Sequence, residues 1–447
     1  MSPLAPYVPN AKEPWNLARV HHLHWRASFG ATWAELKAGV ERGHEATLQT
    51  LLSGTREVGV PERANEMIET LQHAAATRNS RWQALWFWRM LLSADPLGER
   101  LTLAWHDHFA TSFQKVQSMA MMAAQNATIR AHARGSFRDL LPACVKQPAM
   151  LLWLDASSNY REHPNENLAR ELMELFTLGE GHYTEHDVRE VARALTGWRV
   201  DHEDRFWFYG EHHDQGEKTV LGHKGAFDGD GVLAILLDHP ATARRIAWRL
   251  CNTFLVESLV TADLLDALAR ELVESNLELG RAVERILRSR VFFCDANLHA
   301  LPAPPAVHVT ALARALECFD ARTSLLDVFA AEAGQHLFNP PSVFGWPHGK
   351  QWITTGSLVG RTKFARALVE GKLTATGGDG PIAPLLRKHG VGTGAAERVE
   401  FFINLLLGRK PEASLKAVLV ATAAADHPRA CEEMVVQLCS SPASQLA

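Results

Sequence analysis

The chain has 447 residues, 47% of them hydrophobic and 21% charged, with 46 Lys+Arg against 50 Asp+Glu and a formal net charge of -4. That length supports one large domain or two to three average ones. The even charge balance argues against a general nucleic-acid or acidic-membrane surface, which would need a concentrated positive field, and leaves room only for local basic pockets.

No window holds about 18 uninterrupted apolar residues, so no transmembrane helix is expected. Residues 1–20 lack an apolar core of signal-peptide length, and Pro3, Pro6, Pro9 and Pro14 favour an extended arm. As given, the chain is expected to be soluble and cytoplasmic. The six cysteines are scattered without a CxxC pair. A protein of this size does not need disulfides, so free and mostly buried thiols are expected.

Taken in order, the arm leads into VHHLHWRASFG, which begins helically and stops at Gly30. His21, His22 and His24 do not share one helical face, which argues against chelation. Amphipathic helices are expected over Thr32–Leu52 and Glu62–Ala76. Asn79–Ser93 is more apolar, with Trp82, Leu85, Trp86 and Met90 on one stripe. After the break at Pro96–Gly98 comes Trp105-His106-Asp107-His108-Phe109. On a strand its two imidazoles would share a face, and on a helix they diverge by about 200°. The helical surroundings favour the helix, with His106 or His108 turned to a site.

Helices continue over Gln117–Arg134 and Ser136–Asp155, and a loop leads to the stretch His163–Trp198. From Asn165 to Leu178, about 100° per residue places Glu166, Asn167, Arg170, Glu171, Glu174 and Thr177 within about 140° of arc. Leu168, Ala169, Leu172, Met173, Leu175 and Phe176 fill the other side. Gly179 and Gly181 end this helix. Thr184 with Asp187 forms a capping-box variant for a second helix, carried by Val188, Val191, Ala192 and Leu195.

Residues 199–230 lose helical period. Arg205–Tyr209 reads as a short strand, and the following loop gathers His212, His213, Asp214 and Lys218. Helices resume at Val232–Leu237, His239–Leu255, Leu264–Glu274, Ala282–Arg290 and Ala306–Phe319. A second irregular stretch runs from Gly334 to Gly356. There Trp346 and Trp352 would form a platform for a planar ligand face, with core packing as the bland alternative. Leu358–Glu370 carries Arg361 and Arg366. A Gly-rich break at Thr374–Pro381 precedes a last group of helices. The expected fold is mainly α: a large multi-helix, bundle-like assembly with two long irregular loops and at most a few short strands. It would be one domain over 1–447, divisible into 1–198, an insertion at 199–230 and 231–447.

No GxGxxG, GxxxxGK[ST] or GxSxG motif is present, which removes support for nucleotide-binding α/β folds and α/β-hydrolases. What remains is a cleft lined by carboxylates and imidazoles. Glu166, Glu171 and Glu174 would act as general acid and base, with Arg170 and Lys218 as cationic partners. His106, His213 and Asp214 would hold a divalent metal ion. Trp346, Trp352 and Arg361 would bind substrate. A metal-assisted or carboxylate-driven hydrolase is the reaction class expected. The structural alternative is a solvated helix face braced by i, i+4 ion pairs.

The motifs His22-Leu23, Arg26 to Gly30, Pro96-Leu97 with Glu99-Arg100, and Trp105 to Phe109 form an ordered series. It continues through Asn165-Glu166-Asn167 to Gly197-Trp198, His213-Asp214, Lys218, Leu221-Gly222, Phe338-Asn339-Pro340-Pro341, Gly345-Trp346, Trp352 and Arg361. In this series the chain resembles the bacterial DUF1800 proteins over nearly its whole length. The resemblance implies a largely helical fold and brings no activity with it. Members are often encoded beside DUF1501 proteins, which resemble sulfatases and alkaline phosphatases. It therefore implies a second reading, a non-catalytic scaffold or maturation partner of a DUF1501-type protein. Many members look exported, which this chain's N-terminus does not match. Ser441-Pro442-Ala443-Ser444-Gln445 stands where the family has an SPEFQ-like ending.

Overall fold

The computed structural model describes residues 3–55, 68–70, 82–374 and 380–447. The helix expected over Glu62–Ala76 and the break at Thr374–Pro381 lie largely outside them. Helices dominate, as the periodicities require. The two sheets among the described residues are two-stranded and antiparallel: β1 (Trp198–Val200) with β2 (Phe206–Phe208), and β3 (Lys218–Val220) with β4 (His223–Gly225). No helix among the described residues is long and apolar enough to cross a membrane. All six cysteines are free thiols, five of them buried.

The chain forms two compact units. One is built from Leu101–Ser289 and Phe338–Trp346 with residues 3–5; the other from Pro6–Arg100, Arg290–Leu337 and Pro347–Ala447.

In the second unit, Asn16 caps the Leu17–Ala27 helix by accepting the Arg19 amide. Thr32 and Glu35 cap the Trp33–Arg42 helix reciprocally. The centre of this unit is the Pro305–Ala315 helix, every residue of which is buried. A buried helix cannot leave a charge unmatched. Arg314, fully enclosed, accordingly donates both 2.8 Å bonds of a bidentate pair to Glu35 and a further bond to the Leu91 carbonyl. The histidine-rich first helix is placed by the same logic. His21 and His22 are buried, His21 stacks on Trp25 with ring centroids 5.3 Å apart, and His22 Nε2 meets the Phe292 carbonyl at 3.1 Å.

In the first unit, the motif Trp105–Phe109 ends the Pro96–His108 helix and is wholly interior. Successive residues leave a helix about 100° apart, so each needs its own partner. Trp105 Nε1 donates to the Ala133 carbonyl at 3.1 Å. His106 packs between the Phe338 and Trp346 rings. Asp107 accepts the Trp346 amide at 2.6 Å and the Arg249 guanidinium at 2.5 Å. His108 Nε2 donates to the Phe176 carbonyl at 3.2 Å. The helical reading of His106-x-His108 holds, and the divergence it implies turns both rings into the core.

Gly345 makes the Asp107 contact possible. Its φ of +85° is open chiefly to glycine, and a Cβ there would lie 2.2 Å from Asp107 Oδ1. Gly345→Ala is therefore expected to cost about 1–3 kcal/mol, from left-handed strain together with overpacking. A chemical-denaturation midpoint equal to wild type would count against this account.

Candidate acid-base site on the 167–194 helical hairpin

The approach to the hairpin is built from asparagines. Asn159 accepts the Asn165 amide and donates to the Ala192 carbonyl. Asn165 accepts the Asn167 amide two residues on, an Asx turn that starts the helix. Asn167 Nδ2 reaches Asp155 at 3.3 Å. The Asn-Glu-Asn motif thus anchors the preceding loop.

The first helix is α only over Asn167–Glu171 and becomes a π-helix over Leu172–Thr177. Thr177 is completely buried, although a 100° wheel places it on the polar face. Its hydroxyl donates to the Leu172 carbonyl at 2.6 Å and so needs no water. Arg170 is held on both sides, by a bidentate pair with Glu185 at 2.7 and 2.8 Å and by Glu166 at 3.2 Å. It staples the two helices of the hairpin together.

Glu171 and Glu174 stay on the half-buried face. Glu174 accepts the Tyr183 hydroxyl at 2.7 Å. Burial, and then the bond to Glu174, push the Tyr183 pKa up, so this phenol stays a donor. Glu171 makes no hydrogen bond among the described residues. Burial, reinforced by the neighbouring Glu174, raises its pKa above the usual carboxyl value, with Arg170 opposing. Two carboxyls with different surroundings, one bonded and one bare, form the arrangement from which acid and base roles are made.

The second helix, Glu185–Ala194, follows the predicted Thr184–Asp187 box. Its polar ladder grips the irregular segment. Asp187 Oδ1 accepts the Leu221 amide at 2.7 Å, Glu190 accepts the Thr219 amide at 2.7 Å, and Arg193 pairs with Asp214 at 2.7 Å. Hydrogen bonds from Thr184 and Leu221 hold the Asp187 pKa down against its burial, and bonds from Arg193 and Thr219 do the same for Glu190. The 199–230 segment therefore folds onto this helix, and the contact consumes several expected site residues.

Asp214 is spent on Arg193, which also lowers its pKa. His213 Nδ1 lies 2.9 Å from the Thr196 carbonyl. Lys218, its side chain fully enclosed, donates to the Asp214 and Gly216 carbonyls at 2.5 and 3.0 Å; burial lowers its pKa. It clamps the loop backbone.

Among the described residues no group of three or more His, Cys, Asp or Glu side chains is gathered around a common point. His106 faces aromatic rings in the core, whereas His213 and Asp214 brace a loop. Trp346 and Trp352 are only 3% and 4% exposed, so neither presents an open ring face. Arg361, 1% exposed, donates to the Ala303 carbonyl at 2.7 Å inside the second unit.

Two contributors escaped sequence reasoning. Tyr183 sits in the hairpin turn, where no periodicity marks it. Arg245 on the Pro240–Phe254 helix reaches the end of the π-helix and stacks on Trp248 at 4.5 Å. The spacing Asp187, Glu190, Arg193 was the available signal for the loop contact, since i, i+3, i+6 charges share a helix face.

The family model described as "Protein of unknown function (DUF1800)" matches residues 22–446. No curated protein and no solved structure matches the chain.

Proposed function

The chain belongs to the DUF1800 family, whose description states no activity, and from that premise we propose that it is a hydrolase in which Glu171 and Glu174 carry the proton transfers. The observation behind this reading is the unbonded, half-buried Glu171 carboxyl, its pKa raised by burial beside Glu174. π-Turns recur at functional sites, and this pair spans one.

In the proposed step the free oxygen of Glu174 takes a proton from water. The water oxygen bonds to the acyl or phosphoryl centre, the bond to the leaving oxygen breaks, and Glu171 delivers its proton to that oxygen. Water is consumed, an acid and an alcohol leave, and exchange with solvent resets both carboxyls. Tyr183 holds Glu174 in place.

Glu171→Gln should lower turnover of unactivated alkyl carboxylic or phosphate esters by at least about 100-fold, the scale of a lost general acid. In the wild type, turnover should fall as pH rises through the raised Glu171 value, because the acid form is the active one. Undiminished turnover in Glu171→Gln would sink the proposal.

A second, non-catalytic reading is favoured by one observation. Trp207, Phe208 and Tyr209 on and beside β2 are 55%, 42% and 39% exposed, a contiguous aromatic edge suited to a protein partner such as a DUF1501-type protein. An inert wild type that co-purifies with such a partner would favour it.

A further inference from the structure

Beside Glu174 lies a cation with no ion pair among the described residues. Arg245 is partly buried on the Pro240–Phe254 helix, and among the described residues its guanidinium forms no ion pair. Its hydrogen bonds are two long ones, 3.4 and 3.5 Å, both to the Leu175 carbonyl. That carbonyl is available because the Gly179 amide, its partner in a regular α-helix, bonds to Met173 instead. The π-turn that carries Glu174 thus also presents a backbone oxygen to Arg245.

The nearby charges explain why the guanidinium is left over. Glu174 and Glu180 are its acidic neighbours and Arg249 its basic one. Glu174 is committed to Tyr183 and Arg249 to Asp107, while Glu180 lies on the exposed turn. The Trp248 ring, 4.5 Å from the guanidinium carbon, covers a face, and with Nε and Nη2 turned to Leu175 the Nη1 side of the fork carries no hydrogen bond among the described residues. A partly desolvated fork is the geometry that binds oxyanions bidentately.

We infer that Arg245 anchors an anionic substituent, a carboxylate, sulfate or phosphate group, of the compound on which the Glu171–Glu174 pair acts. This rests on the acid–base reading of that pair and names its substrate class: an anionic ester. Arg245 is a positioning residue, and its loss should raise KM for anionic substrates and leave neutral ones unaffected.

The direct probes are inorganic phosphate, inorganic sulfate and acetate, titrated into the full chain and followed by calorimetry and by the Trp248 indole N–H signal. At least one should bind and shift that signal. Arg245→Met should weaken binding by about 10- to 100-fold, the value of a charge-assisted hydrogen bond. Arg245→Lys should retain part of the affinity, which separates loss of the anchor from loss of the fold. Glu171→Gln should bind the anion at least as tightly as wild type. Absence of binding by all three anions, or equal binding in Arg245→Met, overturns the inference. Anion binding that depends on Arg245, together with hydrolysis that survives Glu171→Gln, keeps the anchor and removes the acid–base reading. Hydrolysis lost in Glu171→Gln, with anion binding indifferent to Arg245, does the reverse.

Discussion

Glu35→Ala should destabilise the second unit by about 3–5 kcal/mol, the cost of stranding a buried charge. Arg314 has no exposure with which to find water once its partner is gone, and the Leu91 carbonyl satisfies only part of its fork. The same substitution removes half of the capping box on the Trp33–Arg42 helix, because Glu35 also accepts the Thr32 amide at 2.7 Å. Replacing both members, Glu35→Leu with Arg314→Met, should restore much of the loss, since well-packed apolar pairs often match buried ion pairs. Urea midpoints of the three proteins decide the matter. A Glu35→Ala midpoint within error of wild type, or a double variant worse than the single, would refute the account.

The protein should also lose stability steeply as pH falls below about 6.5. Six histidines, His21, His22, His106, His108, His299 and His308, are buried, and burial pushes every one of their pKa values down, to about 4 for His106 and about 3 for His299. An unfolded imidazole binds its proton near pH 6.5, whereas the folded one refuses it until much lower pH. Unfolding therefore takes up protons. The stability these groups supply is complete above about pH 6.5 and is lost as pH falls towards the folded values.

Each contributes about 1.4 kcal/mol per pH unit within that window. Together they rival the roughly 5–15 kcal/mol that keeps an ordinary domain folded. Glu171 and Asp327, whose pKa values burial raises, work in the opposite direction but are fewer. Urea midpoints at about pH 7.5, 6.5 and 5.5 should drop progressively, and a level series would exclude the mechanism.

Local signals made much of this molecule legible. The helical hairpin, its Gly turn, the Thr184–Asp187 box and the short strand at Phe206–Phe208 all follow from spacing within a few residues. The site was less legible, because a side chain that clamps a loop and one that performs chemistry are the same residue type. Asp214 and Lys218 look like site residues in the sequence, yet their partners Arg193 and the Gly216 carbonyl are supplied by the fold. Trp346 and Trp352 carried enough apolar surface for either role, and burial claimed both. Arg245 was visible only as one charge among several along its helix. Its openness depends on where Glu174 and Arg249 spend themselves, which is tertiary information.

The π-turn at Leu172–Thr177 has a consequence for register. A π-turn carries about one residue more than the α-turn it replaces, so positions on its two sides are out of phase by roughly 100°. A relative with one residue fewer in this segment would be free to run as unbroken α-helix. The residues that follow the turn would then occupy different azimuths even where the flanking motifs coincide letter for letter. Chain length between Asn167 and Gly179, as much as residue identity, therefore decides which members of the family bury the residue at the Thr177 position.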